Sequence, residues 1–247
     1  MQLIGRIKEK EMLQDLVKSD KSEFVVLYGR RRVGKTFLVK EYFKNTFSFS
    51  MTGIFNATLE QQLLNFQLSI SKFSKSEVPI PKSWLAAFDL LAKHLERHKS
   101  QTKIIFIDEL PWFDTPKSNF LSAFEYFWNH WASARADTKL VVCGSSTSWI
   151  LSKIIKNKGG LHNRITSRIK VKPFTLHETE LFLAYKKIKV NRYQIIELYM
   201  IMGGIPYYLE AVKKEKSIAQ NVDELFFAED AILASEFENL YASLFKN

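Results

Sequence analysis

Cysteine is nearly absent from this chain: Cys143 stands alone among 247 residues. A cysteine-built metal site is therefore excluded by count, and Cys143, set in an apolar run, reads as a small buried residue of a reducing compartment. No apolar run approaches the ~20 residues that span a bilayer, and the opening MQLIGRIKEKE lacks the apolar core of a signal peptide. These absences predict a cytoplasmic protein without a membrane partner. The five histidines, at 94, 98, 130, 162 and 177, share no metal-ligand spacing. There is no internal repeat and no low-complexity tract.

What is present is enough for one large α/β domain and a smaller appendage, since 46% of the residues are hydrophobic. The net charge is +10 and the pI about 9.5. From Val222 onward six acids face one lysine, a local charge of −5, which leaves +15 on residues 1–221. Such a surplus fits either a solvated lysine-rich surface around a nucleotide site or a nucleic-acid partner.

The most informative stretch is Phe24 to Thr36, FVVLYGRRRVGKT. A short β-branched apolar run ends in Gly29-Arg30-Arg31-Arg32-Val33-Gly34-Lys35-Thr36, which fits the phosphate-loop pattern G-x-x-x-x-G-K-[ST]. The two glycines allow backbone N–H groups to converge on phosphate oxygens, and the helix that follows, from Phe37 onward, adds its positive end. Lys35 is expected to reach the β- and γ-phosphates and Thr36 to ligate Mg²⁺. Of Arg30, Arg31 and Arg32, at most one is expected to touch nucleotide.

A second signal is Lys103 to Glu109, KIIFIDE, a buried strand ending in two carboxylates. Asp108 is placed to hold Mg²⁺, and Glu109 to polarise an attacking water. Lys139 to Gly144 reads as a neighbouring strand, and Ser145 or Ser146 at its end is either a γ-phosphate sensor or part of an N-cap cluster for a helix over 149–156. Arg164, on a glycine-containing basic segment, is either a phosphate-stabilising arginine or a surface charge. The spacing of Phe120, Phe124, Phe127, Trp128 and Trp131 favours a core stripe over a base-stacking platform.

Further strands are expected at 47–51 and 169–171, and helices at 7–18, 59–73, after a Ser83 cap to about 98, and 120 onward. Leu63, Leu64, Phe66, Leu68 and Ile70 are the expected inner face of the second of these. Residues 110–116, with two prolines, read as a loop, and Ser118 as the cap of the helix after it. Thr175-x-x-Glu178 has the form of a capping box. Beyond Val190 strand signals cease, and helical patterns at 193–201, 207–212, 219–227 and 231–245 suggest a core over residues 1–177 and a helical appendage over 178–247.

YGRRRVGKT, FIDELPWF, VVCGSSTSWI, LHNRITSRIKVKPFTLHE and MGGIPYYL, in this order, resemble the archaeal and bacterial ATPase family of the AAA+/STAND group of P-loop NTPases. The resemblance implies a three-layer α/β fold with a parallel sheet in the order 5-1-4-3-2 and a C-terminal helical lid. It also implies ATP and Mg²⁺ as cofactors, with hydrolysis switching the relation of core and lid. The absence of an N-K-x-D motif agrees with ATP over GTP. By the same resemblance Gly5 and Arg6 lie near the adenine, Pro206 belongs to the lid's G-x-P, and Arg164 follows Asn163 where relatives carry glycine. Ala228 to Phe245 resembles the lead-in to a winged helix. Alternative readings are a nucleotide-gated module with little or no hydrolysis that binds DNA or another nucleic acid or interacts with a partner protein, and, more weakly, a small-molecule kinase; Arg164 acting between subunits would require a homo-oligomer.

Overall fold

The computed structural model describes residues 2–97, 102–156 and 158–234. They divide into two compact units, one of residues 7–30 and 35–171, the other of residues 2–6, 31–34 and 172–234.

The first unit is built on five parallel strands: β1 (Glu23–Tyr28), β2 (Phe49–Thr52), β3 (Lys103–Asp108), β4 (Thr138–Gly144) and β5 (Ser167–Lys170). Their order is β2-β3-β4-β1-β5, which from the opposite edge is 5-1-4-3-2. β1 pairs with β4 from Glu23↔Lys139 to Tyr28↔Gly144 and with β5 from Val25↔Ser167 to Tyr28↔Lys170. β4 is buried throughout and β1 at its four central positions, the unbroken apolar signature of parallel strands covered on both faces.

Period-two alternation sorts the strand residues between two helical layers. Phe24, Val26, Ile105, Ile107, Leu140 and Val142 share one core with α3 (Leu59–Ser74), α4 (Trp84–Arg97) and α5 (Phe120–His130). Val25, Leu27, Phe106 and Val141 point the other way. There α1 (Ile7–Lys18) approaches β5, and Phe43, just past α2 (Lys35–Tyr42), reaches Phe106 through Phe47. The aromatic stripe of α5 is core: Phe24 meets Phe124 edge-on and lies 5.0 Å from Trp128, while Trp84 meets Phe120 edge-on. Each such ring contributes about 1.5–3 kcal/mol by leaving water.

Several local expectations are corrected. Leu110–Phe113 forms a 3₁₀ turn, with Pro111 in its opening turn where no N–H is required. Asn119, in the left-handed region, is the cap position of α5 and makes no side-chain cap bond; Ser118 Oγ instead accepts from Phe120 N. α6 (Thr147–Trp149) continues as a π-helical turn over Ile150–Ile155, again without a serine cap. On α3, Leu64 and Leu68 are exposed while Gln62 is fully buried beside Leu63, Phe66 and Ile70. The inner face is therefore rotated from the one that leucine spacing suggests.

In the second unit, α7 (Leu176–Tyr185), α8 (Arg192–Met202) and α10 (Ile218–Val222) each begin in a capping box, from Thr175, Asn191 and Ser217. Gly203 ends α8, and α9 (Pro206–Glu210) starts on Pro206. Residues 223–227 form a π-helical turn where a continuous helix is expected. Of the helix expected over 231–245, residues 231–234 form a turn and 235–245 lie outside the described residues, as does His98. No helix among the described residues is long and apolar enough to cross a membrane.

Candidate functional site

The chain leaves β1 at Tyr28, whose carbonyl accepts from Val171 N. Gly29 follows with φ 149°, and a Cβ there would lie 2.3 Å from Val171 O. Glycine is thus required both by the backbone angle and by the contact. Arg32 and Gly34 also have positive φ, 69° and 85°, before α2 begins at Lys35. Lys35 is only 6% exposed, and its Nζ donates to Gly29 O and Arg30 O, each at 3.0 Å. The ammonium therefore sits at the mouth of the loop. Phe37, half-buried, lies in the first turn of α2.

Asp108 ends β3 and is 3% exposed. Thr36 Oγ1 donates to its Oδ2 at 2.9 Å, while Glu109 N at 3.0 Å and Cys143 Sγ at 2.6 Å donate to its Oδ1. These bonds hold a buried carboxylate that would otherwise bear a large desolvation cost. Burial first, then the charge and hydrogen bond of Asp108, push the Cys143 thiol well above its ordinary range. The Thr36–Asp108 pair offers hard oxygen donors suited to a small divalent cation. Among the described residues no group of three or more His, Cys, Asp or Glu side chains is arranged to hold a metal.

Glu109 turns the chain out of the sheet in the left-handed region, φ 48° and ψ 50°. Its Oε2 accepts from both N and Oγ of Ser145 at 2.9 Å. The adjacency of β3 and β4 makes this possible, because their ends present Asp108–Glu109 and Ser145 side by side. The structure thus joins Lys35, Thr36, Asp108, Glu109 and Ser145 through direct bonds or chain neighbours. Arg164 is exposed on the turn after Gly159, its N–H donating to Leu161 O, and Asn163 before it takes φ 55°.

In the second unit, Arg6 is 3% exposed. Its guanidinium donates to Val33 O at 2.8 Å and Lys172 O at 2.6 Å and lies 4.7 Å from the Phe174 ring centroid. Arg6 N donates to Glu178 Oε1, beside Gly5 with φ 64°. Arg32 stacks over Tyr207, next to Pro206, at 4.2 Å. Arg31 is exposed; in the first unit, Arg30 Nε is buried without a hydrogen-bond partner among the described residues.

Two residues at the first unit's acidic turn escape sequence reasoning. Cys143 reads only as a small core residue, and the one signal for more is that it shares a strand with the residues leading to Ser145. Gln62 lies outside the apolar face that leucine spacing marks on this helix and draws no expectation from the sequence.

The model of an ATPase domain predominantly from Archaea matches residues 3–212. An uncharacterized protein of Methanocaldococcus jannaschii is 30% identical over 243 residues, 95% of this chain and 51% of that protein. The chain thus spans about half the length of that relative. Among solved structures, the Walker-type ATPase of Pyrococcus abyssi superposes with a TM-score of 0.66 at 18% identity, covering 96% of this chain and 75% of the other. The Aeropyrum pernix ORC1 protein in complex with DNA gives 0.58 at 13%, covering 99% and 65%. At these identities the likeness speaks to the fold.

Proposed function

This chain belongs to the ATPase domain family found predominantly in Archaea, and from that premise we propose that it binds ATP with Mg²⁺ and hydrolyses the γ-phosphate. The observation that carries the reading is the 2.9 Å bond from Thr36 Oγ1 to Asp108 Oδ2, which brings the loop's hydroxyl and a buried carboxylate to one point.

In this proposal the backbone of residues 29–34 cradles the phosphates, and Lys35 offsets charge on the β- and γ-oxygens. Thr36 and Asp108 hold Mg²⁺, which when bound supplies Lewis-acid stabilisation of phosphate charge. Glu109 orients the attacking water and accepts its proton, and Ser145 fixes that carboxylate. On family resemblance, Gly5 and Arg6 are assigned to the base side and Pro206 to the nucleotide-facing G-x-P of the lid. Arg164, exposed on its turn, suits a phosphate belonging to a neighbouring copy. Turnover then alters the relation of the core to a helical lid beginning near residue 178.

Comparing ATP turnover by the wild type and Glu109→Gln tests this directly. The variant should lose at least about a hundredfold in rate while still binding nucleotide. Equal rates would remove Glu109 from the mechanism.

A second reading, a nucleotide-gated DNA-binding module, is favoured by the net charge of +10 and by the exposed Lys153, Lys156, Lys158, Arg164, Arg168 and Lys170. One fold neighbour is in complex with DNA. Duplex DNA should then bind at low salt and be released steeply as salt rises. No binding at low salt, with or without ATP, disposes of it.

A further inference from the structure

We infer that Gln62 is a positioning residue for Glu109, acting through the turn that carries it; the inference rests on the proposed role of Glu109. Gln62 lies on α3, an otherwise apolar face, and is fully buried. An amide in such surroundings is costly unless bonded. Its Nε2 donates to Ile54 O at 2.7 Å and to Trp112 O at 2.9 Å, and its Oε1 accepts from Ile54 N at 3.3 Å. One side chain therefore ties the segment after β2 to the 3₁₀ turn after β3.

That turn has no slack. Trp112 N donates to Glu109 O at 2.9 Å, and Gly53 N donates to Asp108 O at 3.0 Å. A Cβ on Gly53 would lie 2.8 Å from Glu109 O and 3.0 Å from Trp112 Cβ, so the two segments touch along their backbones. Phe55 packs edge-on against Trp112, with ring centroids 5.5 Å apart. The Glu109 carboxylate is fixed at its tip by Ser145. Gln62 fixes the other end, three residues downstream, where the backbone must hold the left-handed conformation of Glu109. No atom of Gln62 needs to meet nucleotide for this.

The test is Gln62→Leu, which keeps the volume and removes the donors. Turnover per folded molecule should fall about 10- to 100-fold, the scale of a displacement on the order of 1 Å, with KM and nucleotide Kd within about twofold. Leu91→Ala, in the core of α4, supplies a destabilised control without touching the Gln62 amide and should keep the wild-type rate per folded molecule. In a Glu109→Gln background, Gln62→Leu should cause no further loss. Should Gln62→Leu not fold, Gly53→Ala presses on the same turn and carries the same expectation. An unchanged rate with a lowered melting temperature, a weakened nucleotide Kd, or an equal loss in both backgrounds overturns the inference. If Glu109→Gln alone keeps the wild-type rate, the proposed function of Glu109 fails first, and the two failures are told apart.

Discussion

Ser145 gives Glu109 two hydrogen bonds to the same oxygen, with its backbone N–H and its hydroxyl both 2.9 Å from Oε2. Ser145→Ala removes the hydroxyl and leaves the N–H. Bonds to charged groups contribute about 1.5–3 kcal/mol, so kcat should fall roughly 10- to 100-fold with KM little changed. Ser145→Thr should retain most of the rate. Steady-state phosphate release measures both.

The phosphate loop's two glycines should respond differently to alanine. At Gly29 a methyl group meets Val171 O at 2.3 Å in addition to the φ of 149°, whereas at Gly34 it meets no atom within 4 Å among the described residues beyond its own chain neighbours, and only the φ of 85° resists. Gly34→Ala should cost about 1–2 kcal/mol. Gly29→Ala should cost more, about 3 kcal/mol or above, because Val171, just past β5, must move as well. Urea melts of the two variants settle the order.

Cys143 should be chemically silent in the native protein. The thiolate is the reactive species, and burial together with the charges of Asp108 and Glu109 disfavours it, with Lys35 opposing weakly. Alkylation at pH 8 should leave the folded chain unlabelled and modify one thiol in urea. Rapid labelling of the native protein would contradict the 0% exposure of this side chain.

Glu178 makes the second unit sensitive to acid. Burial raises its pKa, but N–H groups of Thr175 and Arg6 and the charge of Arg6 outweigh that, and the net shift is below the ordinary 4.5. Between the folded value and 4.5 the unfolded chain binds more protons, so the stabilisation is present above 4.5 and is lost as pH falls through the folded value. Glu178→Gln should flatten the fall in melting temperature over that window.

Much of this was legible in the chain because it was local. FVVLYGRRRVGKT and KIIFIDE announce strand, loop and acids within a dozen residues each, and Thr175-x-x-Glu178 becomes a capping box as its spacing requires. What stayed hidden depends on contacts between distant segments. Gln62 looks like any polar helix residue until Trp112 O, 50 residues on, is seen to accept from it. Arg6 carries no local sign that Lys172 O lies 166 residues ahead. Leu64 and Leu68 misled because helical spacing alone does not choose between two overlapping apolar faces. The turn at Leu110–Phe113 was masked by Pro111 and Pro116 in the same segment, of which Pro111 sits in the turn's opening where no N–H is required.

The pairing of β1 also sets when the phosphate loop can exist during synthesis. Among the described residues the strand partners of β1 are β4 and β5, both far later in the chain, and Phe24 N reaches Thr166 Oγ1 across 142 residues. Gly29 is shaped against Val171. A nascent chain that has already emerged through Thr36 therefore carries the whole motif and none of its geometry, and long-range parallel pairing is slow to form. The native shape of the loop is therefore expected only once residue 171 has been made and has cleared the ribosome.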